Sequence, residues 1–124
     1  MPTNAELVAD LCESWPHLSR EEIVARFTED ARYINVPFPG ETVGGAAVAD
    51  VLIPFRDKVA RIEAVVRNVS AAGDVVFAER VETFHRDGAE PVVLPVVGVF
   101  EVRGSRICAW RDYFDAAQMV AAFS

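Results

Sequence analysis

The run "ICAWRDYFD", Ile107 to Asp115, sets Asp112 among apolar and aromatic side chains. An ionised carboxylate in such company costs several kcal/mol unless partners hold it. A second run, "VVFAERVETFHR", carries Arg80 and Glu82 two residues apart, and "ARYINV" carries Tyr33 and Asn35 at the same spacing. On a strand that spacing puts both members of each pair on one face. Two carboxyl groups in one dry site do not both ionise cheaply, so one tends to keep a proton. An arginine between them stays charged and can hold both in its fork. Such a set suits a reaction that needs acid and base together. The neutral acid donates to a substrate oxygen while the carboxylate takes a proton from water, each transfer contributing about 10² to 10⁴ in rate. Tyr33 and Asn35 add a hydroxyl and an amide.

The elements that must position these groups follow from punctuation and periodicity. Thr3 with Glu6, and Ser19 with Glu22, form capping-box patterns ahead of "LVADLCESW" and "EIVARF", which predict a first helix ending at Pro16 and a short second one. "ARYINV" reads as a strand from Ala31 to Val36, "PFPGETVGG" as a loop, and "AAVADVLIPFRDKV" as a third helix with Pro54 marking its end or a kink. After Val59 the chain reads as four strands, "ARIEAVVRNVSA", "VVFAERVETFHR", "PVVLPVVGVFEV" and "RICAWRDYF", joined by the turns "AGD", "DGAE" and "GS". The tail "DAAQMVAAF" reads as a short helix. Helices followed by hairpin-linked strands predict an α+β fold, with one strongly curved, mostly antiparallel sheet packed against helices on one face. Its interior can be a pocket.

Alternation groups Val76, Ala78, Arg80, Glu82 and Phe84 on one face, opposite Val75, Phe77, Glu79, Val81, Thr83 and His85. In the last strand it groups Cys108, Trp110, Asp112 and Phe114 against Ile107, Ala109, Arg111 and Tyr113. It does not say which face is inner, because both carry aromatics. If Phe84 and Trp110 face the cone, Arg80, Glu82 and Asp112 converge there. The same network could instead serve only to orient strands, and residue types alone leave the two readings balanced.

The bulk numbers narrow the classes. A chain of 124 residues with 52% hydrophobic and 25% charged content matches one ordinary globular domain, here expected to span 1–124. A net charge of -7, with Lys58 the single lysine, argues against nucleic acid and anionic membrane surfaces. No apolar run approaches the roughly 20 residues of a membrane span. The N-terminus lacks the pattern of a signal peptide, so the cytoplasm is the expected location. Cys12 and Cys108 give neither a disulfide framework nor a metal signature and are expected as small buried hydrophobes. No cluster has metal-ligand spacing, and "VGGAAV" lacks the lysine of a phosphate-binding loop. His17 and His85 are read as surface or core histidines. Phe38, Phe55, Phe84, Phe100, Trp110 and Phe114 are read as core or pocket wall, and Phe84, Trp110, Phe114, Phe38 and Phe100 are the substrate-pocket candidates.

Three stretches, "DARYINVPFPG", "AERVETF" and "GVFEVRGSRICAWRDYFD", resemble the limonene-1,2-epoxide hydrolases of the nuclear-transport-factor-2-like (SnoaL-like) superfamily, in order and spacing along nearly the whole chain. The resemblance implies a cone-shaped, mixed but mostly antiparallel sheet wrapped around N-terminal helices. It implies a deep apolar pocket, a homodimer, and cofactor-independent, one-step hydrolysis of an apolar epoxide to a vicinal diol. It further implies Asp112 as general base on water, Tyr33 and Asn35 as water holders, Arg80 as the bridge and Glu82 as general acid. Where the family pattern has Asp, this chain has Glu82, one methylene longer. A ketosteroid-isomerase-like or polyketide-cyclase-like enzyme, or a non-catalytic binder of apolar ligands, are the alternatives on the same fold. The first has little need of an arginine linking two carboxyl groups.

Overall fold

The structure, a computed structural model, describes residues 1–123. Helix α1 spans Asn4–Ser14 and α2 spans Arg20–Ala25. Both begin with complete capping boxes. Thr3 Oγ1 accepts from the Glu6 N–H at 3.1 Å while Glu6 accepts from the Thr3 N–H at 3.0 Å, and Ser19 and Glu22 do the same at 3.2 and 2.9 Å. Each cap satisfies backbone donors a short helix otherwise leaves open, worth about 1 kcal/mol. Between the helices, Trp15–His17 form one 3₁₀ turn around Pro16.

Strand β1, Phe27–Asn35, begins four residues before the predicted start. The polar run Thr28, Glu29, Asp30 hid it, and an irregular register against β6 between Phe27 and Arg32 breaks the alternation there. The loop that follows contains a two-residue edge strand, β2 (Thr42–Val43), paired to Tyr33 and Arg32. Helix α3, Gly45–Arg56, runs through Pro54 instead of stopping at it. Pro54 sits in the final turn, where the missing N–H removes one helical bond and the Asp57 N–H still reaches Ile53 O at 3.1 Å.

Four long strands follow: β3 (Arg61–Ala72), β4 (Val75–His85), β5 (Val92–Arg103) and β6 (Arg106–Phe114). The six strands form one sheet in the order β2-β1-β6-β5-β4-β3, with β1 and β6 parallel and every other pair antiparallel. Arg103 pairs with Arg106, so Gly104 and Ser105 alone make the turn, both with positive φ (57° and 64°). That is the two-residue hairpin whose twist suits the flanking strands. Helix α4, Ala116–Ala122, closes the described chain, with Asp115 accepting from the Gln118 N–H at 3.0 Å. Among the described residues no helix is long and apolar enough to cross a membrane.

Val8, Leu11 and Cys12 of α1 and Val48, Ala49 and Leu52 of α3 bury against Val76, Ala78, Phe84, Leu94, Phe100 and Trp110 of the concave sheet face. Each large apolar side chain there contributes about 1.5–3 kcal/mol relative to exposure. Phe77 and Tyr113, on the opposite face, are about half exposed (48% and 46%). The concave face is therefore the one carrying Phe84 and Trp110.

One grouping needs correction. The register of β6 against β5 shifts between Glu101 and Val102, leaving Cys108 as an extra residue. A bulge moves alternation by one position. Ile107 is consequently buried, while Cys108 is only half-buried and its thiol donates to Glu101 O at 3.4 Å. Cys12, by contrast, is fully buried.

Candidate active site

Arg80 and Glu82 on β4 and Trp110 and Asp112 on β6 project from the concave face, with β5 between them. The guanidinium crosses β5 to reach its partner. Arg80 Nη1 donates to Asp112 Oδ1 at 3.0 Å and Nη2 to Asp112 Oδ2 at 2.6 Å, a bidentate pair, while Nε donates to Glu82 Oε2 at 3.2 Å. The three residues are 1%, 4% and 4% exposed for Arg80, Glu82 and Asp112. Two indoles join them: Trp110 Nε1 donates to Asp112 Oδ1 at 2.7 Å and Trp15 Nε1 to Glu82 Oε2 at 3.4 Å. Tyr33 packs on Trp110 with ring centroids 4.6 Å apart and planes tilted by 38°, and its hydroxyl donates to Asn35 Oδ1 at 3.3 Å. Asn35 lies opposite Asp112 in the β1–β6 register.

The crossing depends on Gly98. This residue pairs with Ala78 on one side and Asp112 on the other. A Cβ there would stand 2.5 Å from Phe100 Cε1, 2.9 Å from Asp112 Oδ1 and 3.0 Å from Arg80 Nη1. Its hydrogen leaves the gap through which the ion pair forms. Gly98→Ala is expected to destabilise the protein by about 1–3 kcal/mol, the usual cost of overpacking a filled interior. Urea unfolding measures this as a lower midpoint at constant slope. An unchanged midpoint would mean that the crossing has room to spare.

Burial raises the Glu82 carboxyl above the ordinary carboxylate range, against the pull of Arg80 and with Asp112 adding to the rise. Burial works against the Arg80 charge, yet Asp112 and Glu82 outweigh it and hold the guanidinium protonated. Tyr33 is pushed up, first by burial and then by Asp112, and keeps its hydroxyl proton. Burial also pushes the Cys12 thiol beneath the site up to about 12, so it is not a nucleophile near neutral pH. The cluster thus pairs a carboxyl inclined to hold a proton with one gripped by a cation.

These groups form one pole of an internal cavity with about 40 Å³ of space open to a water-sized molecule. Tyr33, Asn35, Arg80, Glu82 and Asp112 all line it. Of the five aromatics named as pocket wall, Trp110 and Phe114 line the cavity. Phe84 and Phe100 do not: both are fully buried behind the wall, Phe100 stacked on Trp110 at 5.3 Å and Phe84 edge-on to Phe55 at 5.9 Å. Phe38 sits at the outer rim, 36% exposed and 5.7 Å from Phe114. Phe55, read from sequence as core or pocket wall, also lines the cavity; the wall missed from sequence is Trp15, Val51 and Leu52 from the helical side, Val96 from β5 and Met119 from α4. The i, i+1, i+4 spacing of Val51 and Leu52 with Phe55 on a helix was the available signal for two of them. A larger groove of about 750 Å³, bordered by Arg20, Gly44 and Arg106, lies apart from the carboxyl pair. Among the described residues no group of three or more His, Cys, Asp or Glu side chains is placed to hold a metal ion.

Residues 3–124 match the family model described as limonene-1,2-epoxide hydrolase catalytic domain. The chain is 34% identical over 99 residues to epoxide hydrolase EphG of Mycobacterium tuberculosis, a match covering 80% of this chain and 64% of that protein, which is less than two thirds of its length. A solved structure of an M. tuberculosis limonene-epoxide-hydrolase-like epoxide hydrolase superposes with a TM-score of 0.77 at 30% identity, covering 97% of this chain and 88% of the other. A hypothetical protein with a ketosteroid isomerase-like fold from Catenulispora acidiphila (TM-score 0.84, 20% identity, 98% and 94% covered) and a putative SnoaL-like polyketide cyclase from Jannaschia sp. CCS1 (0.83, 21%, 98% and 91%) share the fold. With the family model matched along almost the full length of this chain, the chain belongs to the limonene-1,2-epoxide hydrolase family.

Proposed function

We propose that the protein hydrolyses an apolar epoxide to a vicinal diol in one step. A water molecule held by Tyr33, Asn35 and Asp112 attacks a ring carbon. Asp112 takes the water proton as the new C–O bond forms. The bond from that same carbon to the ring oxygen breaks on the side away from the water, and Glu82 delivers its proton to the departing oxygen. Arg80 ties the two acids together, and the cycle closes when one proton passes from Asp112 back to Glu82 through solvent as the diol leaves. Both proton transfers come from side chains, so the step needs no cofactor.

One observation carries this reading: two carboxyl groups, one raised by burial, share a single buried guanidinium beside a cavity of water size. A carboxyl inclined to keep its proton and a base beside it are what epoxide opening requires. The names borne by the mycobacterial matches support the substrate class. The free space is of water size, so an epoxide enters only as wall side chains move aside.

Turnover of a panel of alicyclic and aliphatic epoxides in ¹⁸O-water, with enzyme in excess of substrate, tests the reaction. One ¹⁸O atom is expected in the diol on the first turnover. Label confined to later turnovers would signify a covalent ester on a carboxylate, and a different mechanism. Absence of diol from every substrate would remove the hydrolysis reading.

A further inference from the structure

The hydrogen bonds to the two acids are distributed unevenly between their oxygens. Asp112 Oδ1 receives both Arg80 Nη1 and the Trp110 indole, whereas Oδ2 receives Arg80 Nη2. Glu82 Oε2 receives both Arg80 Nε and the Trp15 indole. Glu82 Oε1 receives no hydrogen bond among the described residues. It is also not sealed away, since the buried side-chain polar atom without a partner among them is Arg86 Nε. We propose that Trp15 and Trp110 are positioning residues, each occupying one oxygen of one acid so that Glu82 presents Oε1 and Asp112 presents Oδ2 to the reacting atoms.

Both indoles are immobilised for such a task. Trp110 lies between Phe27 (6.0 Å, 8° between planes) and Phe100 (5.3 Å, 27°), and it sits two residues before Asp112 on the same strand face. Trp15 packs on Phe55, and its carbonyl accepts from Arg56 Nη1 at 2.7 Å. Its place in the 3₁₀ turn before Pro16 is set by backbone, not by a flexible loop. A fixed donor at the far end of Glu82 also answers the extra methylene of this chain. Glu has one more rotatable bond than Asp, and a second anchor on Oε2 removes the freedom that bond introduces.

This inference rests on the hydrolysis reading for what the free oxygens do, but the clamp itself can be read without substrate. The titratable groups facing the two acids are Arg80 from β4, Tyr33 from β1 and Cys12 from α1, while α3 and α4 offer apolar side chains. The Trp15 bond favours charged Glu82 and so opposes the rise that burial causes.

The experiment replaces each tryptophan in turn by benzothienylalanine, which has sulfur where indole has N–H and the same shape, with Trp15→Phe and Trp110→Phe as parallel variants. Carbon-13 signals of the Glu82 and Asp112 carboxyls are followed with pH in the free protein, and kcat and KM are followed with the best epoxide. Removing the Trp15 donor is expected to move the Glu82 titration, and with it the alkaline limb of the rate profile, to higher pH. Removing the Trp110 donor is expected to shift the Asp112 carboxyl signal and leave that alkaline limb in place. In both isosteric variants kcat falls roughly tenfold or more with KM little changed, the size of one hydrogen bond to a charged group. Unchanged carboxyl signals would overturn the clamp whatever happens to turnover. Loss of the folded spectrum in the isosteric variants would make the indoles staples of the fold and overturn it equally. If the parent protein hydrolyses no epoxide, the carboxyl signals still decide the clamp, and only the reaction is lost.

Discussion

Asp112→Asn is expected to lower kcat by about 10³-fold or more and to leave a folded protein that still binds apolar ligands. The amide accepts no proton from water, so the base contribution, about 10² to 10⁴ by itself, disappears. Geometry decides what else changes. The amide oxygen can take the place of Oδ1, where it still accepts from Trp110 Nε1 and Arg80 Nη1. The amide nitrogen then stands where Oδ2 accepted from Arg80 Nη2 at 2.6 Å, so two donors face each other. One buried bond is lost and one donor left unsatisfied, a cost of about 1–3 kcal/mol. A domain of ordinary stability survives that. Stopped assays for diol give the first number and urea unfolding the second. Turnover within tenfold of the parent would remove Asp112 from the role of base.

Why so much of this arrangement was visible in the sequence, and why some was not, comes down to periodicity. Period-two alternation needs no partner strand, so the grouping of Arg80 with Glu82 and of Trp110 with Asp112 followed from "AERVETF" and "AWRDYF" alone. Which face was inner did not, because Phe77 and Tyr113 are as aromatic as Phe84 and Trp110 and only the packed helices choose between them. The capping boxes were legible because a cap is local. The bulge at Cys108 was not, since a bulge is a relation between two strands and appears only when Glu101 and Val102 are set against β6. The cavity wall divides in the same way. Residue type marks Phe84 and Phe100 as buried, but being one layer behind the wall is a property of the assembled cone. Trp15 is the sharpest case: it is 67 residues from Glu82, and no spacing within either segment relates them.

Arg80→Met is expected to be the most destabilising single change in the molecule, and its cost is expected to grow with pH. Methionine fills much of the arginine stem's space but offers no charge and no donors. Asp112 would lose two hydrogen bonds and Glu82 one, in a site where Arg80 is 1% exposed. Removing one partner of a buried ion pair typically costs about 3–5 kcal/mol, because the remaining charge is left without its counterion. The sign with pH follows from proton uptake. Without Arg80, the main opposition to burial at Glu82 is gone, leaving the Trp15 indole, and the folded state holds the Glu82 proton more tightly than the unfolded chain does. Stability of the variant is therefore greatest below the carboxylate range of the unfolded chain and declines as pH rises through the raised folded value. The parent shows the same sign through Glu82, whose carboxyl burial already raises. Urea unfolding at intervals from about pH 4 to pH 8 should show the gap between parent and variant widening. A constant gap would mean that Arg80 acts by packing alone. Adding Asp112→Asn and Glu82→Gln to Arg80→Met should then recover most of the lost stability near neutral pH, since no buried charge is left to compensate, and should recover no turnover. That divergence would separate what the trio does for the reaction from what it costs the fold.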